Sequence, residues 1–65
     1  GLSKRELDII SFVKKGFSSR EIAESTQLKV KTVEVHRYNI LRKLNLPNVA
    51  ALVNYINNSQ MAAEL

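Results

Sequence analysis

Apolar residues recur along this chain at the spacing of amphipathic helices. Leu7, Ile10 and Val13, for example, follow one another at intervals of three residues, which places their side chains on one side of a helix. No segment alternates apolar and polar residues as a half-buried strand would. The pattern predicts helices at about 4–15, 19–25, 30–44 and 48–57, followed by a tail at about 58–65. The predicted fold class is all-α.

The first two predicted helices begin with the same signal. Ser3 with Glu6, and Ser18 with Glu21, have the spacing of a capping box, in which each side chain satisfies a free backbone N–H of the other residue. Gly16 is expected to end the first helix in the left-handed conformation. The turn before the third helix contains no glycine, so we expect another backbone conformation to close it.

A short helix, a tight turn and a longer helix together predict a helix–turn–helix motif. Ala23 is small enough to lie where the two helices cross, and Ile22 and Val33 are placed to hold them together. At about 100° per residue, the core side of the third helix is expected to carry Val33, His36, Ile40 and Leu44. The opposite side carries Lys31, Val35, Tyr38 and Arg42, with Glu34 and Asn39 beside them.

Val35 and Tyr38 are apolar residues on the predicted solvent side of a helix. Isolated exposed apolar residues are common and need no function. Alternatively, the two side chains contact base edges, such as a thymine methyl group, while charged neighbours bind phosphates. We favour the second interpretation because both residues share their side of the helix with Lys31.

The third helix, together with Lys29 just before it, contains the whole charge imbalance of the chain. Segment 29–44 has five basic residues and one acid, whereas the rest of the chain has five of each, and the net charge is +4. A positive charge concentrated on one helix predicts an anionic partner, and double-stranded DNA fits best. The open alternative is a protein-interaction module that binds an acidic protein.

Composition excludes several other classes. The 65 residues make one domain, without cysteine and with one histidine, so no metal site or cofactor is expected. There is no glycine-rich phosphate loop, nucleophile–base pair or convergent carboxylates, and hence no enzyme is predicted. No apolar run approaches the roughly 18 residues of a membrane span, and the expected location is the cytoplasm.

Several sequence blocks resemble the DNA-binding domain of LuxR/FixJ-type (GerE-type) transcription regulators over nearly the full length of the chain. The matching blocks are residues 2–6, 16–18, 21–23, 31–37 and 39–44. The resemblance implies a four-helix domain whose third helix enters the major groove of DNA. It also implies a preceding receiver or ligand-sensing domain, and RNA polymerase is a further expected partner of the whole regulator.

The resemblance and the charge pattern together assign candidate contacts. Base-edge contacts are expected from Lys31, Glu34, Val35 and Tyr38. Phosphate contacts are expected from Ser19, Arg20, Lys29, Thr32, Asn39, Arg42 and Lys43. Glu34 has two open interpretations: it pairs with Lys31 or Arg37, or it accepts a hydrogen bond from a cytosine amino group. Arg37 is expected to reach an acid such as Glu21 or Glu24.

This chain departs from the family pattern at three positions. Lys29 stands where a serine usually caps the third helix, a loss of about 1 kcal/mol that brings a cation near the DNA backbone. Thr26 replaces a usual core leucine, which should loosen the junction between the second and third helices. Asn48 replaces a frequent arginine, so any ion pair made there is lost.

The fourth helix has more apolar residues than one face can bury. If Ala51, Leu52, Tyr55 and Ile56 face the core, the exposed residues are Val49, Ala50 and Val53. These three form either a modestly apolar surface or a two-fold dimer seam, as the family implies. Such a seam would be small, which predicts a weak homodimer that forms mainly on DNA, on half-sites about 10 base pairs apart.

Overall fold

Four helices contain most of the residues that the structure describes. This computed structural model describes residues 1–58, and its helices are α1 (Lys4–Lys14), α2 (Ser19–Thr26), α3 (Val30–Leu44) and α4 (Val49–Asn57). The all-α prediction is confirmed, and each observed boundary is within one residue of the predicted one. Apart from Asn58, the predicted tail lies outside the described residues.

Both predicted capping boxes are present. The Ser3 hydroxyl accepts from the Glu6 backbone N–H at 3.2 Å, and the Glu6 carboxylate accepts from the Ser3 N–H at 2.8 Å. Ser18 and Glu21 make the same pair of bonds at 3.1 and 2.8 Å. Two orphan N–H groups are satisfied at each helix start, and this fixes where α1 and α2 begin.

The helix ends depend on left-handed residues. Gly16 has a φ of 86°, as predicted, and Gln27 and Asn45 adopt the same region with φ of 59° and 57°. Gln27 therefore closes the turn of the helix–turn–helix in the left-handed conformation that glycine usually supplies, and the expectation of another conformation there is wrong. The conformation costs a residue with a Cβ atom roughly 1 kcal/mol, which the packing of Leu28 against the core offsets.

The starts of α3 and α4 differ in capping. Lys29 occupies the N-cap position of α3 and makes no side-chain capping bond, as the sequence predicts. Asn48 caps α4, because its side-chain oxygen accepts from the Ala51 N–H at 2.8 Å. The asparagine in place of a family arginine thus has a structural role of its own. Thr26 donates its hydroxyl to the Ile22 carbonyl at 2.7 Å, so this polar substitution is also satisfied.

One apolar cluster joins all four helices. Its fully buried members include Ile9 and Ile10 of α1, Ile22 of α2, Val33 and Ile40 of α3, and Leu52 and Ile56 of α4. Each such side chain contributes about 1.5–3 kcal/mol of burial free energy. Ala23 is buried in α2, as expected for a crossing residue. Because one face of α3 packs in this core, the opposite face of the helix is turned toward the solvent.

The predicted orientations of α1 and α4 need correction. Leu7 is 39% exposed, whereas Glu6 is only 3% exposed, so the buried stripe of α1 begins one residue earlier than predicted. In α4, Val49 and Val53 are half-buried and pack against the core, which makes their predicted exposure wrong. Tyr55 is 37% exposed instead. The reason is that Val49, Leu52, Val53 and Ile56 are spaced i, i+3, i+4 and i+7, and residues at this spacing lie on one face of a helix. That face is the one that packs against the core.

Candidate nucleic-acid interface

The solvent face of α3 carries all four residues predicted to contact base edges. Lys31 and Glu34 are exposed, and Val35 and Tyr38 are 51% and 59% exposed. The opposite face of the same helix holds Val33 and Ile40, which are fully buried. Because the core fixes α3 from behind, these four side chains form one outward surface, which we call the α3 face.

Glu34 makes no ion pair with Lys31 or Arg37 among the described residues, since no carboxylate oxygen of Glu34 lies within 4.0 Å of either cation. The first of its two interpretations is therefore not supported. The carboxylate remains open on the α3 face as a hydrogen-bond acceptor. An acceptor there suits the amino group of cytosine, which projects into the major groove.

Tyr38 of the α3 face and the neighbouring Arg42 form a cation–π pair. The Arg42 guanidinium carbon lies 5.7 Å from the centroid of the Tyr38 ring, within the range of a cation–π interaction. Contacts of this kind at exposed sites contribute roughly 0.5–1 kcal/mol. The pair therefore places an exposed aromatic ring next to a cation.

Phosphate candidates flank the α3 face on the side of α2. Arg20 is exposed and Ser19 is half-buried in the first turn of α2. Arg37 of α3 donates from Nη1 to the Ser19 hydroxyl oxygen at 2.6 Å. The expectation that Arg37 reaches Glu21 or Glu24 is wrong, because the Glu21 carboxylate is engaged in the capping box and Glu24 is not a partner of Arg37.

A second group of candidates lies toward the C-terminal half of α3. Asn39, Arg42 and Lys43 are exposed and together line one open depression. Thr32 is half-buried and Lys29 is exposed near the start of the same helix. The structure thus places the phosphate candidates on both flanks of the α3 face and at its beginning.

Lys43 has a partner that the sequence did not reveal. Its ammonium lies 2.8 Å from Oε1 of Glu6, and the Lys43 side chain is 46% exposed whereas that of Glu6 is 4% exposed. Hydrogen bonds from Lys43 and from the Ser3 backbone hold the pKa of the Glu6 carboxyl below its ordinary value. A buried carboxylate therefore ties α1 to the last turn of α3. The sequence contained one indication that Glu6 is buried, because Glu6 shares a helical face with Ile9, Ile10 and Val13.

Neither a metal centre nor a membrane helix is found in the described residues. No group of three or more histidine, cysteine, aspartate or glutamate side chains within residues 1–58 could hold a metal ion. Among these residues, no helix combines the length and apolarity needed to cross a membrane. His36, which the sequence predicts on the core side of the third helix, is half-buried.

Comparison with known proteins gives a consistent result. The family model for bacterial regulatory proteins of the luxR family (GerE) matches residues 1–56. Oxygen regulatory protein NreC of Staphylococcus carnosus is 50% identical over 54 residues, which are 83% of this chain and 25% of that protein. The NreC proteins of Staphylococcus epidermidis and Staphylococcus aureus are 48% identical over 54 residues, with the same coverage.

The chain spans about a quarter of the length of these curated relatives. The family match covers α1 to α3 and nearly all of α4. It therefore includes the helix–turn–helix and both flanks of the α3 face. The chain belongs to the luxR family of bacterial regulatory proteins, and it is a helix–turn–helix DNA-binding domain of a transcription regulator.

Proposed function

We propose that this chain binds double-stranded DNA sequence-specifically, with α3 in the major groove. The observation that carries the proposal is the α3 face, where Val35 and Tyr38 stand exposed beside Lys31 and Glu34 on a helix whose other side is buried. An α-helix with side chains is about 10–12 Å wide, and the major groove is about 12 Å wide. The four residues of this face then contact base edges.

Affinity comes from the flanking residues. Ser19, Arg20 and Lys29 contact phosphates near the N-terminal end of α3, and Thr32, Asn39, Arg42 and Lys43 contact them along its length. Support for this division is the concentration of the net charge of +4 in segment 29–44. Phosphate contacts fix the register of a protein on DNA without reading its sequence. Glu34 repels phosphates and so weakens binding wherever no base amino group donates a hydrogen bond to its carboxylate.

The proposed role of the chain is that of a C-terminal output domain in a longer cytoplasmic regulator. A receiver or ligand-sensing domain would precede it, and RNA polymerase would be a further partner. The relatives named NreC, described as oxygen regulatory proteins, are about four times as long as the matched region, which supports a larger assembly. In this role the chain binds DNA and catalyses no reaction.

Dimerisation on DNA is proposed through α4. Ala50 is exposed there, and Val49 and Val53 are half-buried. Because the two valines already contact the core, the surface left for a partner is small. The homodimer is therefore weak in free solution and forms when two copies occupy neighbouring half-sites. Sedimentation of the free chain and of its DNA complex tests this, and a stable dimer without DNA would contradict it.

The test of sequence-specific binding combines selection with anisotropy. Duplexes that bind the chain are enriched from a random-sequence library, and the affinity of the enriched duplex is compared with that of a scrambled duplex. Lys31→Met should reduce the preference for the enriched duplex, whereas Lys4→Met, the same charge change at an exposed position of α1, should leave it unchanged. Two results would refute the proposal. One is that no sequence is enriched from the library, and the other is that polyglutamate, added at the same concentration of negative charges as the DNA, displaces the bound duplex.

A further inference from the structure

Arg37 lies half-buried beside the first turn of α2, off the α3 face. Its Nη1 donates to the Ser19 hydroxyl at 2.6 Å. Its Nε atom is fully buried and has no hydrogen-bond partner. A guanidinium has five N–H donors, so most of the hydrogen-bonding capacity of this side chain is unused within the described part of the chain.

The charge of Arg37 is also uncompensated. No carboxylate in residues 1–58 lies within ion-pairing distance of its guanidinium. Arginine stays protonated at any ordinary pH, and a partly desolvated charge without a counter-ion is costly. In contrast, the half-exposed ammonium of Lys43 has a buried carboxylate as its partner. Arg37 is thus a cation that the described fold holds in place without neutralising it.

The neighbour of Arg37 is a residue that we place at the DNA backbone. Since the Ser19 hydroxyl oxygen accepts from Arg37, the hydroxyl proton remains free to be donated elsewhere. The remaining N–H groups of the guanidinium lie in the same plane as the one bonded to Ser19. Because Nε is buried, Nη2 is the group left to donate to a phosphate oxygen, next to the Nη1 that bonds Ser19.

We propose that Arg37 and Ser19 together bind one backbone phosphate of DNA at the junction of α2 and α3. The inference rests on the proposed function and adds Arg37 to the contacts, as the charged partner of this phosphate. Binding there would supply the missing counter-ion and would connect the two helices of the motif through one ligand. Because the contact is made to the backbone, it is independent of base sequence.

The experiment measures how the affinity for a mixed-sequence duplex depends on salt. Arg37→Gln removes the charge but keeps an N–H donor for Ser19, and Arg5→Gln is the matched control on an exposed position of α1. For Arg37→Gln, the slope of log K against log salt should fall by about 0.9. The affinity at low salt should fall about tenfold, which is typical of one hydrogen-bonded charge. Arg37→Lys should recover the slope, and Arg5→Gln should leave it unchanged.

A structural role would give a different pattern. If Arg37 only braces the two helices, Arg37→Gln lowers affinity and unfolding free energy together while the salt slope stays at the native value, and the inference is overturned. Where Arg37→Gln does not fold, the Nε–H signal of Arg37 in the native chain is followed by NMR during addition of the duplex. The signal should shift on binding, and an unmoved signal in the complex would equally overturn the inference. Absence of duplex binding by the native chain would instead reject the proposed function.

Discussion

Removal of the Lys43 ammonium should destabilise the fold more than neutralisation of its partner Glu6. In Lys43→Met, a carboxylate that is 4% exposed loses its cation. Breaking a fully buried ion pair from one side costs about 3–5 kcal/mol, and losing an exposed pair costs about 0–1 kcal/mol. Because the Lys43 side chain is 46% exposed, we expect an intermediate loss of about 2 kcal/mol.

Glu6→Gln should cost less, about 1 kcal/mol. Glutamine is accepted in the glutamate position of a capping box, so the bond from the Ser3 N–H can be kept. Lys43 would then be left in contact with water, which solvates its charge. The asymmetry between the two variants follows from the difference in burial between the two partners.

The same pair predicts a pH dependence. The pKa of Glu6 in the folded chain lies below its ordinary value, so the stabilisation is present above the ordinary pKa and is lost as the pH falls through the folded one. Unfolding by urea, followed by circular dichroism from neutral pH down to about pH 2, measures this loss. Glu6→Gln should flatten the acid part of the curve. Part of the dependence of the unfolding free energy on pH should remain in this variant, because the pKa of Glu21 is also lowered by its capping bonds to Ser18.

Two results would refute this reasoning about the ion pair. One is an equal loss of unfolding free energy in Lys43→Met and Glu6→Gln, which would mean that the burial of Glu6 does not matter. The other is an unchanged acid dependence in Glu6→Gln. A control variant, Lys4→Met, removes an exposed cation from the start of α1 and should change the unfolding free energy by less than about 0.5 kcal/mol.

Three further predictions concern binding and the turns. Arg20→Ala should weaken binding to selected and scrambled duplexes equally, whereas Tyr38→Ala should reduce the difference in affinity between the two duplexes. Both affinities are measured by anisotropy, and the same change in both variants would contradict the assignment of Arg20 to phosphates and Tyr38 to base edges. Gln27→Gly should raise the unfolding free energy by about 1 kcal/mol, because Gln27 has a φ of 59° that glycine adopts without strain; a loss in urea denaturation would contradict this. Lys29→Ser should stabilise α3 by about 1 kcal/mol and lower the salt slope of duplex binding by about 0.9; an unchanged slope would exclude Lys29 from the phosphate contacts.

Local signals in the sequence predicted the helix boundaries well. The capping serines of α1 and α2 each act within three residues, and Gly16 acts on its own backbone, so no tertiary information is needed to read them. The solvent face of α3 was predictable for a related reason. Its polar and apolar sides differ strongly in composition, and this fixes the rotation of the helix.

Rotation was harder to predict where a helix is apolar on several sides. In α4, Val49 and Val53 have the spacing of a buried stripe together with Leu52 and Ile56, but Ala51 and Tyr55 offered an alternative that only packing decides. In α1, a glutamate occupies a buried position because a lysine 37 residues later reaches it. The bond from Arg37 to Ser19 likewise spans 18 residues. Contacts between such distant residues depend on how the helices pack, which periodicity does not describe.

The most direct test of the α3 face as the DNA-binding surface is an amide NMR titration of the labelled chain with a short mixed-sequence duplex at moderate salt. The proposed function predicts that shifts concentrate in residues 18–20 and 29–43, with Val35 and Tyr38 among the largest. Shifts that are absent, or confined to residues 49–57, would contradict the DNA-binding role of α3 and would indicate a protein partner for α4.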